Sequence, residues 1–364
     1  MEEEADGLLH QEAISRYKGG VSLIRKSVFL IAVAFLYSIM VNTHAEGASR
    51  LGINTTLRAF REEIKSIEEL GAGTIRVPLQ WQLAKIQRGE YDWSAVDRLL
   101  NVAQTKQIEV LFNIRTNFPK DIQKHRRKRG AIEINPESLD RKEWVYFVET
   151  LANRYRGQKV SYEIENEVNE ETFWKGTLEQ YVELLEAGYD VIKKADPNAK
   201  VLPSAMGCGI VQNARSGWVG EKTWKRHDGW LKPILSTKKF DVVNIHNYYF
   251  PSEITANGLT FRSYLQHIQD LMKATGVGNR PIWVTETGFV SLPTDANGRM
   301  DDGSYEKQAR WLTEAYQQAF EFGVERAYWL LLGDRKEAYF GSMGLTDPKG
   351  APRPSWNAFR QFAK

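Results

Sequence analysis

The sequence predicts an α/β fold, a single-domain (β/α)₈ TIM barrel, and three observations predict it. Eight strand-like apolar runs follow residue 46, and segments whose apolar residues recur every three or four positions lie between them. Strands that alternate with helices imply parallel pairing through right-handed crossovers. Residues 46–364 are within the usual length of about 200 to 400 residues for such a barrel. No linker rich in Pro, Gly or Ser divides this part, so we expect one barrel domain, residues 46–364.

Each predicted strand is followed by a helical segment with one apolar face, and glycine marks several helix ends. The first helix stops at Gly71 and a later one at Gly157, which are typical C-terminal cap residues. A doubly wound open sheet is the rival fold, but no Gly-x-Gly-x-x-Gly follows the first strand, which disfavours its nucleotide-binding form. The predicted strands are, in order, RLGINT, GTIRVPL, IEVLFNIR, VSYEIEN, KVLPSAM, FDVVNIHNYY, RPIWVTET and AYWLLLG.

Residues 1–45 are predicted to direct export rather than to form part of the fold. Arg25 and Lys26 precede an uncharged run, residues 27–41, which is short for a membrane span of about 20 residues. The pattern fits a signal peptide cleaved after Ala45, which would make the protein exported, either secreted or periplasmic. The stretch before the run is long and acidic for such a signal. A signal anchor that holds an uncleaved protein to the membrane through residues 27–41 therefore stays open.

Composition and charge exclude several classes of function. A net charge of +3, from 49 basic and 46 acidic side chains, gives no reason to expect a nucleic-acid partner. The one cysteine, Cys208, cannot form an intramolecular disulfide. None of the six histidines forms a pair at metal-ligand spacing, so we expect no catalytic metal and no cofactor.

Chemically active side chains lie at the carboxyl ends of the predicted strands, where a (β/α)₈ barrel builds its active site. A lone arginine or tryptophan on a strand is usually an ion-pair partner or a core residue, but five strands share this pattern. Two glutamates that converge from opposite sides of one pocket are the arrangement that glycoside cleavage requires. The strand-end residues are Arg76 on strand two, Asn166 and Glu167 on strand four, His246 and Tyr248 on strand six, Glu286 on strand seven and Trp329 on strand eight.

Four motifs, in order along the chain, resemble those of clan A glycoside hydrolases. YEIENEVN resembles the clan's strand-four Asn-Glu motif, and IWVTETG its strand-seven Thr-Glu-x-Gly motif. NIHNYY resembles the strand-six His-x-Tyr, and GLTDPKGAPRPSWNAF the stretch before the last helix. The stretch from Arg76 to Leu100 looks most like family 39, with family 5 as the second choice. The resemblance spans about residue 48 to the C-terminus and implies a retaining mechanism.

The resemblance implies a role for each matching residue. Glu167 would be the acid/base and Glu286 the nucleophile. Asn166 would hold the sugar 2-hydroxyl, while Arg76 and Tyr248 would keep Glu286 ionised. The implied substrate-binding residues are Arg76, Asn166, His246, which would line the same subsite, Tyr248, and Trp329, which would form its floor.

Two positions depart from the clan's pattern, and both lie beside Glu167. Many members have Trp where this chain has Glu165, and Pro where it has Val168. Glu163, Glu165 and Glu167 are two residues apart, so a regular strand would point all three the same way. Because three anions together in a dry barrel are unfavourable, we expect Glu163 to be paired with a cation and Glu167 to be protonated in the resting protein.

The sequence as a whole indicates a retaining glycoside hydrolase that cleaves β-glycosidic bonds of an oligo- or polysaccharide. The basic run at residues 124–129 is either a solvated surface or a guide for an acidic polysaccharide. The alternative function is a non-catalytic glycan-binding barrel, secreted or membrane-anchored. Tryptophans that could stack on sugars in outer subsites, or simply pack, are Trp81, Trp174, Trp218, Trp224 and Trp230.

Overall fold

The computed structural model describes residues 50–116, 140–207, 221–248, 260–291, 304–335 and 340–363. Within them, eight parallel strands form one sheet in the order β5-β4-β3-β2-β1-β8-β7-β6. The sheet curls into a nearly closed barrel, so the predicted (β/α)₈ fold is confirmed. The strands are β1 Leu51–Asn54, β2 Thr74–Gln80, β3 Glu109–Arg115, β4 Val160–Ile164, β5 Val201–Leu202, β6 Val243–Asn247, β7 Ile282–Thr287 and β8 Arg326–Trp329.

The seam between β5 and β6 closes the barrel without a regular ladder. The Asp241 N–H, just before β6, donates to the Val201 carbonyl at 2.7 Å, and the Val201 N–H donates to Asp241 Oδ2 at 2.9 Å. Strand β5 is shorter than the predicted run because Pro203 follows Leu202 directly and has no N–H to continue the pairing. A carboxylate therefore replaces part of the missing backbone pairing at this seam.

The helices bury the apolar faces that the sequence predicts. Helix α1 ends at Gly71, whose φ of 73° is the left-handed conformation that glycine adopts at low cost. Side chains of Thr177 and Thr260 accept backbone N–H groups at the starts of α5 and α7 and form capping boxes. The helices are α1 Phe60–Leu70, α2 Trp81–Ala84, α3 Ser94–Thr105, α4 Arg141–Arg154, α5 Leu178–Ala195, α6 Glu221–Thr237, α7 Phe261–Ala274, α8 Ser304–Phe322 and α9 Pro354–Gln361. A short antiparallel pair, Lys85–Gln87 with Glu90–Tyr91, lies between α2 and α3.

Within the described residues, buried apolar side chains form three clusters, and the two larger ones build the core of the barrel. The larger lies between the strands and the surrounding helices and includes Phe60, Trp144 and Phe359. The smaller joins side chains from separate strands and so fills the inside of the barrel: Leu111, Leu202, Val242, Trp283 and Tyr328. Gly52 of β1 leaves room for the Tyr328 ring, because a Cβ at Gly52 would lie 2.2 Å from Cδ1 of that ring.

Residues Ala48–Lys364 form one compact unit. The predicted export segment, residues 1–45, lies outside the described residues, and its boundary stays a prediction. None of the helices in the described ranges combines the length and the apolar character needed to cross a bilayer.

Candidate active site

Arg76 of β2 is the centre of a buried network that joins four strands. Its Nε and Nη2 donate to the two carboxylate oxygens of Glu163 on β4, at 2.5 and 3.1 Å. Its Nη1 donates to Glu286 Oε1 on β7 at 2.6 Å and to Asn54 Oδ1 on β1 at 3.0 Å. Its Nη2 also donates to Asn166 Oδ1 at 2.8 Å, just after β4. One planar guanidinium therefore fixes two carboxylates and two amides at the same end of the barrel.

Glu286 is held as an anion by its neighbours. Burial would raise its pKa, but His246, Arg76 and Arg115 act against this through their charges. The Tyr248 hydroxyl also donates to Glu286 Oε2 at 2.8 Å, and together these groups lower the pKa of Glu286 to about 2. A carboxylate with so low a pKa is available as a nucleophile across the ordinary pH range.

Glu167 faces Glu286 across His246. The His246 Nδ1 lies 2.7 Å from Glu167 Oε1 and 3.7 Å from Glu286 Oε2. A carboxylate oxygen of Glu167 lies within 4.8 Å of one of Glu286. The Glu167 side chain keeps 14% of its surface exposed, whereas the His246 side chain is fully buried. The two carboxylates thus meet at the barrel mouth, and both are partly exposed, since the Glu286 side chain keeps 12% of its surface exposed.

These three side chains also bring ligand atoms close enough to bind a cation. The Arg76 guanidinium, 2.6 Å from Glu286, already supplies the positive charge at this point. Arg115 adds a second one, 3.9 Å from the same oxygen. The donor set therefore fits a pocket for polar ligands better than a metal centre.

Asn166 is oriented by two arginines. Its Oδ1 accepts from Arg76 Nη2 at 2.8 Å and from Arg115 Nη2 at 2.9 Å. Because the oxygen is committed to these donors, the amide nitrogen is directed away from them. That nitrogen is the group which would donate to a sugar hydroxyl.

The acidic run that begins on β4 and continues into the next loop does not point one way, contrary to the expectation from regular alternation. Glu163 faces the barrel interior, where Arg76 and the Asn244 amide (2.8 Å) pair its carboxylate, as expected. The backbone then turns left-handed at Glu165, with a φ of 65°, and again at Glu167, with a φ of 45°. Strand alternation ends where the backbone leaves the extended conformation, so the three carboxylates separate. The expected protonation of Glu167 stays a prediction.

Glu165 points toward the end of β3 instead. Its carboxylate accepts the Thr116 N–H at 2.7 Å, and its own carbonyl accepts from the Asn113 amide at 2.7 Å. Burial raises its pKa to about 7, although the Thr116 hydrogen bonds and the Arg115 charge act in the opposite direction. Glu165 therefore links the loop after β4, residues 165–177, to the neighbouring strand β3.

Trp329 is not brought into this cluster. Tyr328 faces the barrel interior, so the pleat turns the next side chain outward, toward α8. The Trp329 indole is fully buried, packs edge-on against Trp311 at 6.0 Å and donates to the Met343 carbonyl at 2.8 Å. Only its carbonyl reaches the site residues, through Asn54 Nδ2 at 3.2 Å. The predicted role of Trp329 as a sugar floor stays a prediction that this packing does not support.

The other tryptophans divide between packing and the pocket. Trp81 and Trp174 are buried, and Trp174 donates to the Thr177 carbonyl at 3.1 Å. Trp174 and Trp230 both line a cavity of about 690 Å³ beside the loop after β4, together with Val168 and Arg226. The basic run at 124–129 and Trp218 lie outside the described residues.

Sequence reasoning missed three residues that complete the network, although each carried a signal. Arg115 and Asn54 are the last residues of β3 and β1, the same positions that singled out the others. Asn244 lies two residues before His246 on β6, which would place it on the same face.

Comparison with known families agrees with this geometry. The model for cellulase, glycosyl hydrolase family 5, matches residues 42–332 of the chain. The chain belongs to glycosyl hydrolase family 5. The predicted resemblance to clan A is thereby confirmed. The family model supports family 5, the second choice, and a family 39 enzyme, the first choice, is among the structural neighbours.

Solved structures similar to this family 5 chain share its fold at low identity. The family 39 glycoside hydrolase from the gut symbiont Bacteroides cellulosilyticus WH2 has a TM-score of 0.64 and 16% identity, covering 87% of this chain and 64% of that one. The β-galactosidase from Marinomonas ef1 has a TM-score of 0.59 and 14% identity over 86% of this chain and 59% of that one. Xylanase 10B from Thermotoga maritima has a TM-score of 0.61 and 14% identity over 88% of this chain and 96% of that one.

The family 5 chain spans less than two thirds of the length of the first two of these enzymes. No curated relative matches it.

Proposed function

We propose that this protein is a retaining glycoside hydrolase that cleaves β-glycosidic bonds by double displacement. The observation that carries the proposal is the meeting of Glu167, from the loop after β4, and Glu286, from β7, with carboxylate oxygens within 4.8 Å. Retaining enzymes hold their two carboxyl groups about 5–5.5 Å apart, whereas inverting enzymes leave about 6.5–9.5 Å for a water molecule. The short separation supports retention.

In the first step, Glu286 attacks the anomeric carbon while Glu167 gives its proton to the leaving glycosidic oxygen. This forms a glycosyl ester on Glu286 and releases the alcohol. In the second step, Glu167 takes a proton from water as the water attacks the same carbon, which frees Glu286 and the sugar. The anionic state of Glu286 and the partly exposed position of Glu167 suit these two roles.

The substrate is proposed at the level of its class, a β-linked oligo- or polysaccharide. Structural neighbours are named as xylanase, galactosidase and mannosidase, so they support carbohydrate substrates without selecting one sugar. The run at residues 124–129 supports an acidic polysaccharide as one candidate. In that case the KM should rise steeply with salt.

The direct test is a panel of aryl β-glycosides with the wild-type protein and Glu286→Ala. We expect turnover by the wild type and a loss of at least 10³-fold in the variant. Added azide should restore aryl release by Glu286→Ala and give a glycosyl azide of inverted configuration, because the small anion takes the place of the missing carboxylate. Glu69→Ala, an exposed glutamate on α1, is the matched control and should keep full activity.

The rival function, a non-catalytic glycan-binding barrel, rests on Glu165 and Val168 at positions where the clan pattern has Trp and Pro. It predicts oligosaccharide binding by calorimetry but no turnover by the wild type on any glycoside of the panel. Under the glycosidase proposal, binding and turnover occur together.

Export, either to the medium or to the periplasm, also stays a proposal, with anchoring through residues 27–41 as its alternative. N-terminal sequencing of the protein from its native host distinguishes them. A mature chain that begins after Ala45 supports export with cleavage, and an intact N-terminus in the membrane fraction supports the anchor.

A further inference from the structure

A second cluster of metal-ligating side chains lies outside the candidate active site, between α6 and α7. His227 and Asp228 of α6 meet His267 of α7. The His227 Nδ1 and the His267 Nε2 each lie 2.9 Å from Asp228 Oδ1. One ligand atom from each of the three residues lies within 4.8 Å of the other two.

The surroundings orient both imidazoles. The His227 Nε2 lies 3.1 Å from the buried Tyr264 hydroxyl, so its Nδ1 is the nitrogen that faces the cluster. Histidines that bind metals usually have their second nitrogen fixed by such a hydrogen bond. The Trp224 ring packs edge-on against both imidazoles, with centroid distances of 5.7 Å to His227 and 4.7 Å to His267.

The cluster is closed on one side and open on the other. The His227 side chain is 2% exposed, whereas those of Asp228 and His267 are 31% and 35% exposed. An ion could therefore enter from solvent, and water could complete its coordination.

The spacing suits a transition-metal ion. Nitrogen and oxygen ligands lie about 2.1 Å from such ions, and two ligands at right angles are then about 3 Å apart. Both observed nitrogen–oxygen separations are 2.9 Å. Two imidazoles also favour first-row transition metals over Mg²⁺ and Ca²⁺, which prefer oxygen ligands.

We propose that His227 Nδ1, Asp228 and His267 Nε2 bind one divalent transition-metal ion, of the Zn²⁺ or Ni²⁺ type, as a structural site. The ion would fix α6 to α7 more firmly than the hydrogen bonds alone. Helix α6 also contributes Arg226 and Trp230 to the cavity beside the loop after β4. The site would therefore stabilise a wall of that cavity without taking part in the chemistry.

The test is isothermal titration calorimetry of the full chain, without an affinity tag and after treatment with EDTA. We expect one saturable site for ZnCl₂ or NiCl₂ and no heat of binding for MgCl₂. His267→Gln and Asp228→Asn should each weaken binding at least 10-fold, because each removes a ligand. His125→Gln, which replaces another histidine of the chain, should bind as the wild type does.

Absence of saturable binding to the wild-type protein, or unchanged affinity in His267→Gln, would overturn the proposal. The second outcome would place the ion elsewhere, for example at the catalytic carboxylates. Tryptophan fluorescence is a second measurement, and it leaves the three metal-binding residues unchanged. NiCl₂ should quench this fluorescence saturably in the wild type. The quench should shrink in Trp224→Phe, because Trp224 packs against both imidazoles, and an equal quench in this variant would also contradict the site.

Discussion

Two glutamates of this barrel, Glu286 and Glu165, show how neighbouring groups decide whether a carboxyl group is ionised. Glu286 receives donors from Arg76 and Tyr248, and its pKa is lowered to about 2. Glu165 accepts hydrogen bonds from Thr116 and lies near the charge of Arg115, but burial outweighs both and raises its pKa to about 7. The number of donors and cations that reach each carboxylate explains the difference.

Tyr248→Phe should shift the acid limb of the pH–rate profile to higher pH. The change removes the hydroxyl that donates to Glu286 Oε2 at 2.8 Å, so the pKa of Glu286 rises and this proposed nucleophile protonates at a higher pH. We expect kcat/KM to fall roughly 10- to 100-fold, as for other lost hydrogen bonds to a charged group. The measurement is kcat/KM against pH. Tyr146→Phe, an exposed tyrosine on α4, is the control and should leave the profile in place.

As the pH rises, the free energy of unfolding of Glu165→Gln should increase relative to that of the wild type. The folded-state pKa of about 7 is above the ordinary value of 4.5, so between these values the folded protein binds more protons than the unfolded chain. The wild type therefore loses stability as pH rises from about 4.5 to 7, by on the order of 3 kcal/mol. Glutamine keeps an oxygen for the Thr116 N–H but has no charge to bury.

Urea unfolding of the wild type and Glu165→Gln at pH 4.5, 6 and 7.5 measures this difference. A constant difference across the three pH values would contradict the prediction. Glu69→Gln, which makes the same chemical change at an exposed position, should show no such pH dependence.

At the scale of elements, the loop after β4 has a backbone that depends on tight packing. Glu165 and Glu167 are both left-handed, and few non-glycine residues adopt this conformation without support. Gly207 packs against the loop, and its N–H donates to the buried Asn169 side chain at 2.6 Å. The Asn169 amide donates back to the Gly207 carbonyl at 3.0 Å. The position of the proposed acid/base is thus set by a residue 40 positions later in the chain.

Gly207→Ala should displace Glu167 and lower activity on substrates with poor leaving groups. An added Cβ would lie 3.1 Å from the Glu167 Cβ, 3.2 Å from its Cδ and 2.5 Å from the Glu170 Cγ, so the loop must move. We expect kcat to fall about 10- to 100-fold for alkyl glycosides and less for nitrophenyl glycosides, which need little acid assistance. Steady-state kinetics on both substrate types is the measurement. Gly229→Ala, where a Cβ meets nothing within 4 Å, should leave both unchanged.

At the scale of the whole molecule, the seam between β5 and β6 closes the barrel through the side chain of Asp241. Asp241 Oδ2 accepts the Val201 N–H at 2.9 Å, and Lys193 Nζ lies 3.2 Å from the same oxygen. Asp241→Ala should lower the free energy of unfolding by about 2–3 kcal/mol, because the Val201 N–H loses its acceptor and Lys193 loses its ion-pair partner. Urea unfolding measures the loss, and hydrogen exchange should show faster opening at the Val201 amide. Asp270→Ala, at an exposed position on α7, should change stability little.

The alternation of apolar runs and helical faces was enough to predict the barrel, because both periods follow from local geometry. The rule that a (β/α)₈ barrel builds its site at the carboxyl ends of its strands also placed Arg76, Glu167 and Glu286 at one end of the barrel. It could not predict the left-handed turns at Glu165 and Glu167, since these depend on contacts with β3 and Gly207 that are distant in sequence. The orientation of Trp329 could not be predicted either, because a shift of one residue along a strand moves a side chain to the other face of the sheet.

Arg76 pairs with both Glu163, a buried interior residue, and Glu286, the proposed nucleophile. The fold and the proposed chemistry therefore both depend on this arginine, and this has a consequence for how the protein could evolve. A descendant that no longer hydrolysed sugars would be free to replace Glu167, which is partly exposed and bonded to His246. Such a lineage would still have to retain Arg76, since the buried carboxylate of Glu163 depends on it whether or not any substrate is turned over. Among descendants of this protein, an intact arginine would therefore be a poor sign of surviving activity, and the identity of the residue at position 167 a good one.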